Sequence, residues 1–299
     1  METIKDTAEN QPLIEAEIIK YGYAPEHNFF HFKNWQGKGT ENFLFQFNQG
    51  AIMARQEDEV WYLFSEILAL PSARIKILSD FLMRCFSDKK TDRVSVEFET
   101  DFYREVLSFL KTSPWRACAV NYSLTWPIFD LAKWDPELSG GGWKKLRYQI
   151  KLFYRQHKVE IIDARDCKPD DLKKIVEAWR KKRQGDDRSY SYPYENLIDN
   201  NFAGVKFCRV FIVDGTPSTI TAGWEIPNQP GSYYSAVGLH NYSCDYLGEA
   251  ANVDDLSFLK KHGYKWANFG GGEEELTGFK MKFHHCRTYE THVFSIKRR

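Results

Sequence analysis

The stretch YKWANFGGGEEELTGFKMKF, residues 264–283, joins a strand-like segment to three consecutive glycines, three glutamates and, further on, two lysines. The aromatic residues of YKWANF predict a strand, and the three glycines after it allow close approach of a ligand, whose negative charge their amides could bind. Lys280 and Lys282 would diverge by about 200° on a helix but share one face of an extended segment. If the segment is helical, we expect one lysine at most to face a site. The alternative is a surface hairpin with solvated glutamates, and for the glutamates solvation is the better expectation.

The elements around this stretch occur twice along the chain. The first series, expected to start as an antiparallel meander, has strands at 43–48, 51–55, 60–64 and 93–98, helices after Pro71 and at 101–110, and an aromatic strand region at 115–129. The second has strands at 205–213, 218–226 and 232–239, a helix at about 246–262, the strand YKWANF, the glycine segment and the closing strand THVFSI. Each series is preceded by helices, at 12–21 in the first case and at 142–158 and 170–183 in the second.

The spacing of equivalent elements supports a duplication. Phe86 and His262 end the two helices and lie 176 residues apart, while Val96 and Trp266 in the following strands lie 170 apart. Similar separations without visible sequence identity are typical of a duplicated fold. We therefore predict an α+β protein with mixed sheets and two units, residues 1–135 and 136–299, the second carrying the active cleft. Two unrelated α+β domains are the alternative.

Composition bounds the function classes. Aromatic residues make up 16% of the 299 residues, which excludes a disordered chain. The 41 basic and 41 acidic side chains cancel, so affinity for an anionic partner requires a local arrangement of charge. No apolar run reaches the roughly 18 residues of a membrane span, and the N-terminus lacks a signal-peptide pattern, so we expect a cytoplasmic protein without an integral membrane segment. The six widely spaced cysteines are expected to be reduced and mostly buried.

The segment WKKLRYQIKLFYRQHK, residues 143–158, predicts an amphipathic helix without a single acidic residue. One arc carries apolar residues, and the adjacent arc carries the cations Lys144, Arg147, Lys151, Arg155 and Lys158. Such a stripe either is a solvated face or follows the phosphates of an RNA or a nucleotide. The cluster RKKR at 180–183 adds positive charge nearby in the sequence.

A second candidate segment, HNYSCDYLGEAANVDD at 240–255, leads from a strand into a helix. It gathers side chains that suit a general base or an amine-binding carboxylate: His240, Tyr242, Asp245, Tyr246 and Glu249. Ordinary helix capping and aromatic packing is the alternative.

Other patterns exclude common sites or stay ambiguous. His284, His285 and His292 near Cys286 have poor chelating spacing, so no metal site is predicted. Dinucleotide, P-loop and nucleophile-elbow motifs do not occur. QGDDRSYSYPYEN at 184–196 suits a substrate lid, a protein contact or a plain surface loop.

Several segments together resemble the family of the phosphatidylglycerol lysyltransferase C-terminal domain. They are SLTWPIFDLAKWDPELSGGGWKKLRYQIKLFYRQH at 123–157, KKHG at 260–263, YKWANFGGG at 264–272, GFKMKF at 278–283 and THVFSI at 291–296. That family, like the related Fem peptidyltransferases, has two tandem GNAT-type acyltransferase units. The resemblance is stronger over residues 90–299 than over the first 90, and it is more specific for fold than for substrate.

The resemblance implies acyl transfer, in the better-known members from an aminoacyl-tRNA ester to an amine or hydroxyl. By position, Arg147 and Lys151 match the basic helix, and Gly271, Gly272, Phe279, Lys280 and Phe283 match the segment near the catalytic cleft. The chain departs from the lysyltransferases because no multi-span membrane region precedes the domain, so we do not expect a lipid acceptor. The junction VGLHNYSCDYLGEA at 237–250 also lacks the Q/RxxGxG/A pyrophosphate loop of coenzyme A-dependent GNAT enzymes, which argues against an acyl-CoA donor.

These observations predict an aminoacyltransferase that uses aminoacyl-tRNA and a small acceptor and needs no cofactor. The predicted catalytic residues are Asp245, Glu249 and Lys280; the donor-binding residues are Lys144, Arg147, Lys151, Arg155, Gly271, Gly272 and Lys282; the acceptor-binding residues are Tyr234, His240, Tyr242 and Tyr246. Asp245 or Glu249 would orient or deprotonate the acceptor, and Lys280 would stabilise the leaving ribose oxygen or a phosphate. An acyl-CoA-dependent N-acyltransferase and a non-catalytic GNAT-like binding module are the alternatives.

Overall fold

The computed structural model describes residues 2–183 and 190–299. The first six residues of the predicted lid segment, 184–189, therefore lie outside the described residues. The helices are α1 Gln11–Tyr21, α2 Phe29–Asn34, α3 Pro71–Ser87, α4 Thr100–Lys111, α5 Lys144–Gln156, α6 Pro169–Lys182, α7 Tyr192–Asp199, α8 Leu247–Lys261 and α9 Glu274–Met281. The strands are β1 Glu2–Lys5, β2 Thr40–Phe47, β3 Gly50–Glu57, β4 Val60–Leu63, β5 Leu68–Ala69, β6 Arg93–Glu99, β7 Trp115–Ala117, β8 Tyr122–Asp130, β9 Val159–Asp163, β10 Phe207–Val213, β11 Thr216–Pro217, β12 Thr219–Glu225, β13 Ser232–His240, β14 Trp266–Asn268 and β15 Arg287–Arg298.

One mixed sheet runs through both halves of the protein. Its order is β1-β2-β3-β4-β6-β15-β8-β14-β13-β12-β10-β11, with β5, β7 and β9 at its sides. The meander predicted for the first half is confirmed, since β2, β3 and β4 pair antiparallel. Two strand pairs are parallel, β4 with β6 and β13 with β14. The helices α3 and α8 make the crossovers between them, so the predicted repeat of element order is confirmed.

The local sequence explains these two crossover helices. Pro71 occupies the first turn of α3, where its missing amide costs nothing, and residues such as Ile77, Phe81 and Cys85 recur at helical spacing on its buried face. Gly263 follows α8 with φ +84°, the left-handed conformation that glycine adopts without strain. The helix α3 therefore begins at the proline, and α8 ends just before the glycine, as the sequence predicts.

The two halves exchange their last strands within this sheet. β15, the closing strand of the chain, lies between β6 and β8, and β8 lies between β15 and β14. Phe294 and Ile296 of β15 pack into the same core as Phe81 and Phe98 of the first half. The unit boundary at 135/136 stays a prediction, and both exchanged strands pair across it.

Two expectations drawn from composition have different outcomes. All six cysteines are free, but only Cys85 and Cys208 are fully buried and Cys286 is exposed, so the expectation of mostly buried thiols was wrong. Within the described ranges, no helix has both the length and the apolar character needed to cross a membrane.

Candidate active site

Both parallel strand pairs stop hydrogen bonding partway, and a cavity lies beyond each stop. β13 and β14 pair only from Ser232–Tyr234 to Trp266–Asn268, and β4 and β6 pair only from Val60–Tyr62 to Arg93–Ser95. A gap between parallel strands leaves backbone and side-chain groups free to contact a ligand at the carboxyl ends of the strands. The repeated fold therefore builds two similar openings with different linings.

The opening in the second half is a cavity of about 240 Å³, here called the lysine chamber. Its walls come from β13, β8, α9, the end of α6 and the glycines after β14. Its lining includes Trp126, Tyr234, Gly270, Gly271, Phe279 and Lys280.

Lys280 is the only lysine in the wall of the lysine chamber, and it is 7% exposed. Its Nζ donates to the carbonyl oxygens of Gly270 at 2.8 Å and Gly271 at 3.2 Å. No carboxylate pairs with it in the described part of the chain. Burial, with a smaller contribution from the charge of Arg183, lowers the pKa of Lys280 to about 7. The ammonium can therefore release and regain a proton near neutral pH.

The helical form of residues 274–281 separates the two lysines as expected. Lys280 points into the chamber, whereas Lys282 pairs with Glu249 at 2.9 Å and lies over the ring of Phe279 at 4.8 Å. The expectation that one lysine at most faces the site is confirmed, and the surface-hairpin alternative was wrong. The three glutamates at 273–275 are exposed, which confirms their expected solvation.

In the glycine stretch, two carbonyl oxygens accept hydrogen bonds from Lys280, whereas two of the amides already have partners. Gly270 N donates to Asn268 Oδ1 at 2.8 Å, and Gly272 N donates to Thr125 O at 3.0 Å. The interpretation of the three amides as an anion site was therefore wrong, because two of them already have partners. Gly271 has a steric role, since a Cβ there would lie 2.8 Å from the indole of Trp126.

The opening beyond β4 and β6 is a larger cavity of about 400 Å³, here called the glutamate chamber, and residues of both halves line it, including Tyr233 of β13 and Trp266 of β14. Four carboxylates line it: Glu26, Glu66, Glu97 and Glu99. Glu66 follows β4, while Glu97 and Glu99 alternate onto one face of β6 beyond its pairing with β4. Tyr289 and Thr291 of the exchanged strand β15 complete the wall.

Burial dominates the electrostatics of these carboxylates. It raises the pKa of Glu66 to about 7 and raises the pKa values of Glu26 and Glu97, with the charges of Glu97 and Glu66 adding to the effect on Glu26. Glu66 accepts from the Glu99 amide at 2.8 Å and from the Tyr23 hydroxyl at 3.3 Å. Glu97 accepts from the Thr291 hydroxyl. In the described ranges, none of these three carboxylates has an ion-pair partner.

Glu26 and Trp126 belong to the walls of both chambers. Trp126 is fixed on both sides, since its Nε1 donates to Thr291 Oγ1 at 2.9 Å and its ring stacks on Tyr289 with centroids 5.6 Å apart. Glu26 also lines a third cavity of about 100 Å³ together with Tyr234. The two chambers therefore meet at one indole and one carboxyl group.

Most of the segment at 240–255 lies outside both chambers, although Asn252 lines the lysine chamber, so the acceptor role of this segment stays a prediction. Asp245 is exposed and Tyr242 is 40% exposed. None of the residues Asp245, Tyr242, His240 and Tyr246 lines either chamber. Burial lowers the pKa of His240 to about 4, so this imidazole is neutral at pH 7. Glu249 is engaged by Lys282. Of the predicted acceptor residues, Tyr234 alone lines the lysine chamber.

The basic helix lies away from both chambers. Lys144, Lys151 and Arg155 are exposed, and none of them lines either cavity. Arg147 instead donates to the carbonyl oxygens of Leu138 and Gly140 and so fixes the loop that enters α5. The exposed part of the stripe therefore lies outside both cavities.

Sequence reasoning missed the glutamate chamber. The alternation in RVSVEFE predicts that residues 93, 95, 97 and 99 share one face of a strand, and acidic side chains at 97 and 99 were a usable signal. Glu26 carries no such pattern, because its position depends on long-range packing. In the described ranges no group of three His, Cys, Asp or Glu side chains is placed to hold a metal ion, and His284 instead stacks on Trp143 with ring centroids 3.7 Å apart.

The raised pKa of Glu66 predicts a pH-dependent loss of stability. The folded protein binds more protons than the unfolded chain between pH 4.5 and about 7, so this carboxyl group contributes stability below pH 4.5 that is lost as pH rises to 7. Glu66→Gln should flatten the fall of the free energy of unfolding over that range, measured by urea denaturation. A matched change at exposed Glu105 should leave the slope unaltered, and an unchanged slope in Glu66→Gln would contradict the prediction.

A mixed sheet with two parallel pairs, each joined by a crossover helix and each opening into a cavity, defines a tandem GNAT-type acyltransferase fold. Residues 22–271 match the family model described as phosphatidylglycerol lysyltransferase, C-terminal, so the chain belongs to that family and is an acyltransferase. Among curated proteins, none matches the chain.

Solved structures with low sequence identity share this fold. The structure of L-PGS from Bacillus licheniformis has a TM-score of 0.70 at 14% identity, covering 99% of this chain and 93% of that one. FemX has a TM-score of 0.63 at 12% identity, covering 99% and 97%. A tandem GNAT protein from the clavulanic acid biosynthesis pathway, described as a structure without acetyl-CoA, has a TM-score of 0.61 at 8% identity, covering 99% and 98%. These likenesses confirm the tandem fold predicted from the repeated elements.

Proposed function

We propose that the protein transfers an aminoacyl group from aminoacyl-tRNA to an amine or hydroxyl of a small acceptor. The observation that carries the proposal is Lys280, a buried lysine with a pKa near 7 at the opening between β13 and β14. Acyl transfer from an ester needs positioning of two substrates and a group that stabilises the leaving oxygen. Membership of the lysyltransferase family supports an aminoacyl ester as the donor.

In this proposal the ester end of the tRNA enters the lysine chamber. The acceptor nitrogen or oxygen attacks the ester carbonyl carbon, a new C–N or C–O bond forms, and the bond to the ribose oxygen breaks. The Lys280 ammonium donates a hydrogen bond to this oxygen and supplies the proton that it needs on leaving, and the proton that the acceptor loses restores the ammonium. The carbonyl groups of Gly270 and Gly271 hold the ammonium in place before substrate binds.

The tRNA body would lie on the exposed cations of α5, Lys144, Lys151 and Arg155. Phosphate contacts by such side chains supply much of the affinity and make it depend on salt. Because Arg147 is engaged by backbone carbonyls, we assign it to positioning of the α5 entry loop. Aminoacyl-tRNA is a cytoplasmic donor, so we place the reaction in the cytoplasm.

Binding of labelled aminoacyl-tRNAs to filters tests this proposal. We expect retention that survives excess acetyl-CoA and falls with salt, and the retained pool should identify the amino acid. Changing Lys144, Lys151 and Arg155 together to Glu should weaken retention and lower the slope of log affinity against log salt by roughly 2 to 3. The matched control changes Lys89, Lys90 and Lys111, which are also exposed, to Glu. Equal weakening by the two triple variants, or no retention even at low salt, would contradict the proposal.

A second candidate is an acyl-CoA-dependent N-acyltransferase. The clavulanic acid pathway neighbour, whose description mentions acetyl-CoA, favours it. The same filter assay distinguishes the two, because displacement of the tRNA by acetyl-CoA would support the coenzyme A donor. A non-catalytic binding module would bind a ligand yet show no turnover with either donor.

A further inference from the structure

The glutamate chamber gathers carboxylates that have no ion-pair partner in the described ranges. Glu26, Glu66 and Glu97 are half-buried and line a cavity of about 400 Å³. Clustered, partly desolvated carboxylates repel one another, and a bound positive charge removes that cost. The family and the tandem fold do not account for the four glutamates that line this cavity.

Groups that face the carboxylates from neighbouring elements leave the charge uncompensated. Arg74 of α3 acts on Glu66 and Glu99, and Arg287 of β15 acts on Glu99. The remaining polar groups are neutral near pH 7: Ser65, Thr291, the hydroxyls of Tyr23, Tyr234 and Tyr289, and His27, whose pKa burial lowers to about 4. Two arginines at one side therefore meet four carboxylates, and the side that contains Glu26 and Glu97 has none.

We propose that the glutamate chamber binds the primary ammonium group of the acceptor, which makes the acceptor a small amine such as an alkyl diamine. This assignment rests on the proposed function, because it takes the lysine chamber as the donor site. The attacking nitrogen must lie close to the donor ester, and Glu26 stands in the wall that the two chambers share. The rings of Trp126, Tyr289 and Trp266 give the methylene part of a diamine an apolar surface.

The chamber also supplies a base for the acceptor, because a primary amine carries an extra proton near neutral pH. An ammonium group cannot attack, so it first gives one proton to the Glu26 carboxylate. The free amine then attacks the ester carbonyl, the C–N bond forms and the bond to the ribose oxygen breaks. Lys280 gives a proton to the leaving ribose oxygen and regains one from the nitrogen, which thereby loses its second proton. Glu26 then releases the first proton to solvent, so each transfer releases one net proton.

Calorimetric titration of the full chain with 1,4-diaminobutane, without any tRNA, tests the binding step. We expect saturable binding, no comparable binding of 1,4-butanediol, and about tenfold tighter binding at pH 8 than at pH 6, since Glu66 with its pKa of about 7 ionises between them. Glu26→Gln and Glu66→Gln should each weaken binding by about 10-fold to 100-fold. Glu105→Gln, an exposed change outside the cavity, should leave it unchanged.

The outcomes separate this inference from the proposed function. A thermal melt of each glutamine variant shows whether it is folded, and Glu99→Gln serves as a second chamber variant if one of the others is not. Equal binding of the diol, or no diamine binding by the wild-type protein while aminoacyl-tRNA is still retained, overturns the inference and leaves the proposed function standing. Binding of lysine amide but not of diamine overturns the acceptor assignment and gives the chamber to the donor's side chain.

Discussion

Replacing Lys280 with alanine is expected to lower the transfer rate at saturating donor by about 10²-fold to 10³-fold. The loss follows from removing the only lysine in the wall of the lysine chamber, whose Nζ lies 2.8 Å from the Gly270 carbonyl oxygen. Because the proposed function assigns Lys280 to the leaving oxygen, the change should reduce kcat more than the affinity for aminoacyl-tRNA. Single-turnover transfer and filter binding measure the two effects separately.

The matched control for this variant is Lys261→Ala, an exposed lysine at the end of α8, which should keep the wild-type rate. Lys280→Met adds a readout that does not depend on turnover. The pKa of Lys280 is about 7 in the fold and 10.5 in the unfolded chain, so the unfolded chain binds more protons between these values and wild-type stability rises with pH there. Lys280→Met should abolish that rise. Unchanged turnover in Lys280→Ala would remove the lysine from the mechanism.

Trp126→Ala is expected to lower the free energy of unfolding by about 3–5 kcal/mol, as measured by chemical denaturation. The indole is 4% exposed, stacks on Tyr289 and donates to Thr291, so its loss leaves a large cavity and removes one of the hydrogen bonds of the Thr291 hydroxyl. Since the indole lines both chambers, the same change should also reduce transfer.

Two further substitutions separate the contributions of Trp126. Trp126→Phe keeps a ring against Tyr289 but loses the hydrogen bond to Thr291, which should cost only about 1 kcal/mol beyond the change in shape. Tyr148→Ala, at a residue that is 62% exposed, should change stability by less than about 0.5 kcal/mol. A Trp126→Ala protein as stable as the Tyr148 variant would show that the shared wall is not part of the core.

Local sequence patterns were sufficient to predict the fold and to separate Lys280, one catalytic candidate, from Lys282. Helical and strand periodicity located α3, α8 and the strands beside them, because each has an apolar face of the right period and clear terminal residues. The divergence of Lys280 and Lys282 also follows from helix geometry alone. Both predictions depend on residues within one or two turns of each other.

The parts that failed depend on contacts between distant segments. The amides of Gly270 and Gly272 looked free in sequence, yet Asn268 and Thr125 accept from them in the folded protein. Glu249 was predicted to act as a base, but in the folded protein it forms an ion pair with Lys282. Glu26 lines the glutamate chamber only because the fold brings β6 and β8 close to it. Pairings of this kind are decided by the sheet order, which no local pattern specifies.

The exchange of β8 and β15 makes the two halves interdependent. Without β15, the edge of β6 would lie open and the glutamate chamber would lose Tyr289 and Thr291; without β8, the edge of β14 would lie open and the lysine chamber would lose Trp126. Open, apolar strand edges favour misassociation. We therefore expect the chain to unfold as one cooperative body, and a break between the repeats would deprive each fragment of a strand that the other supplies.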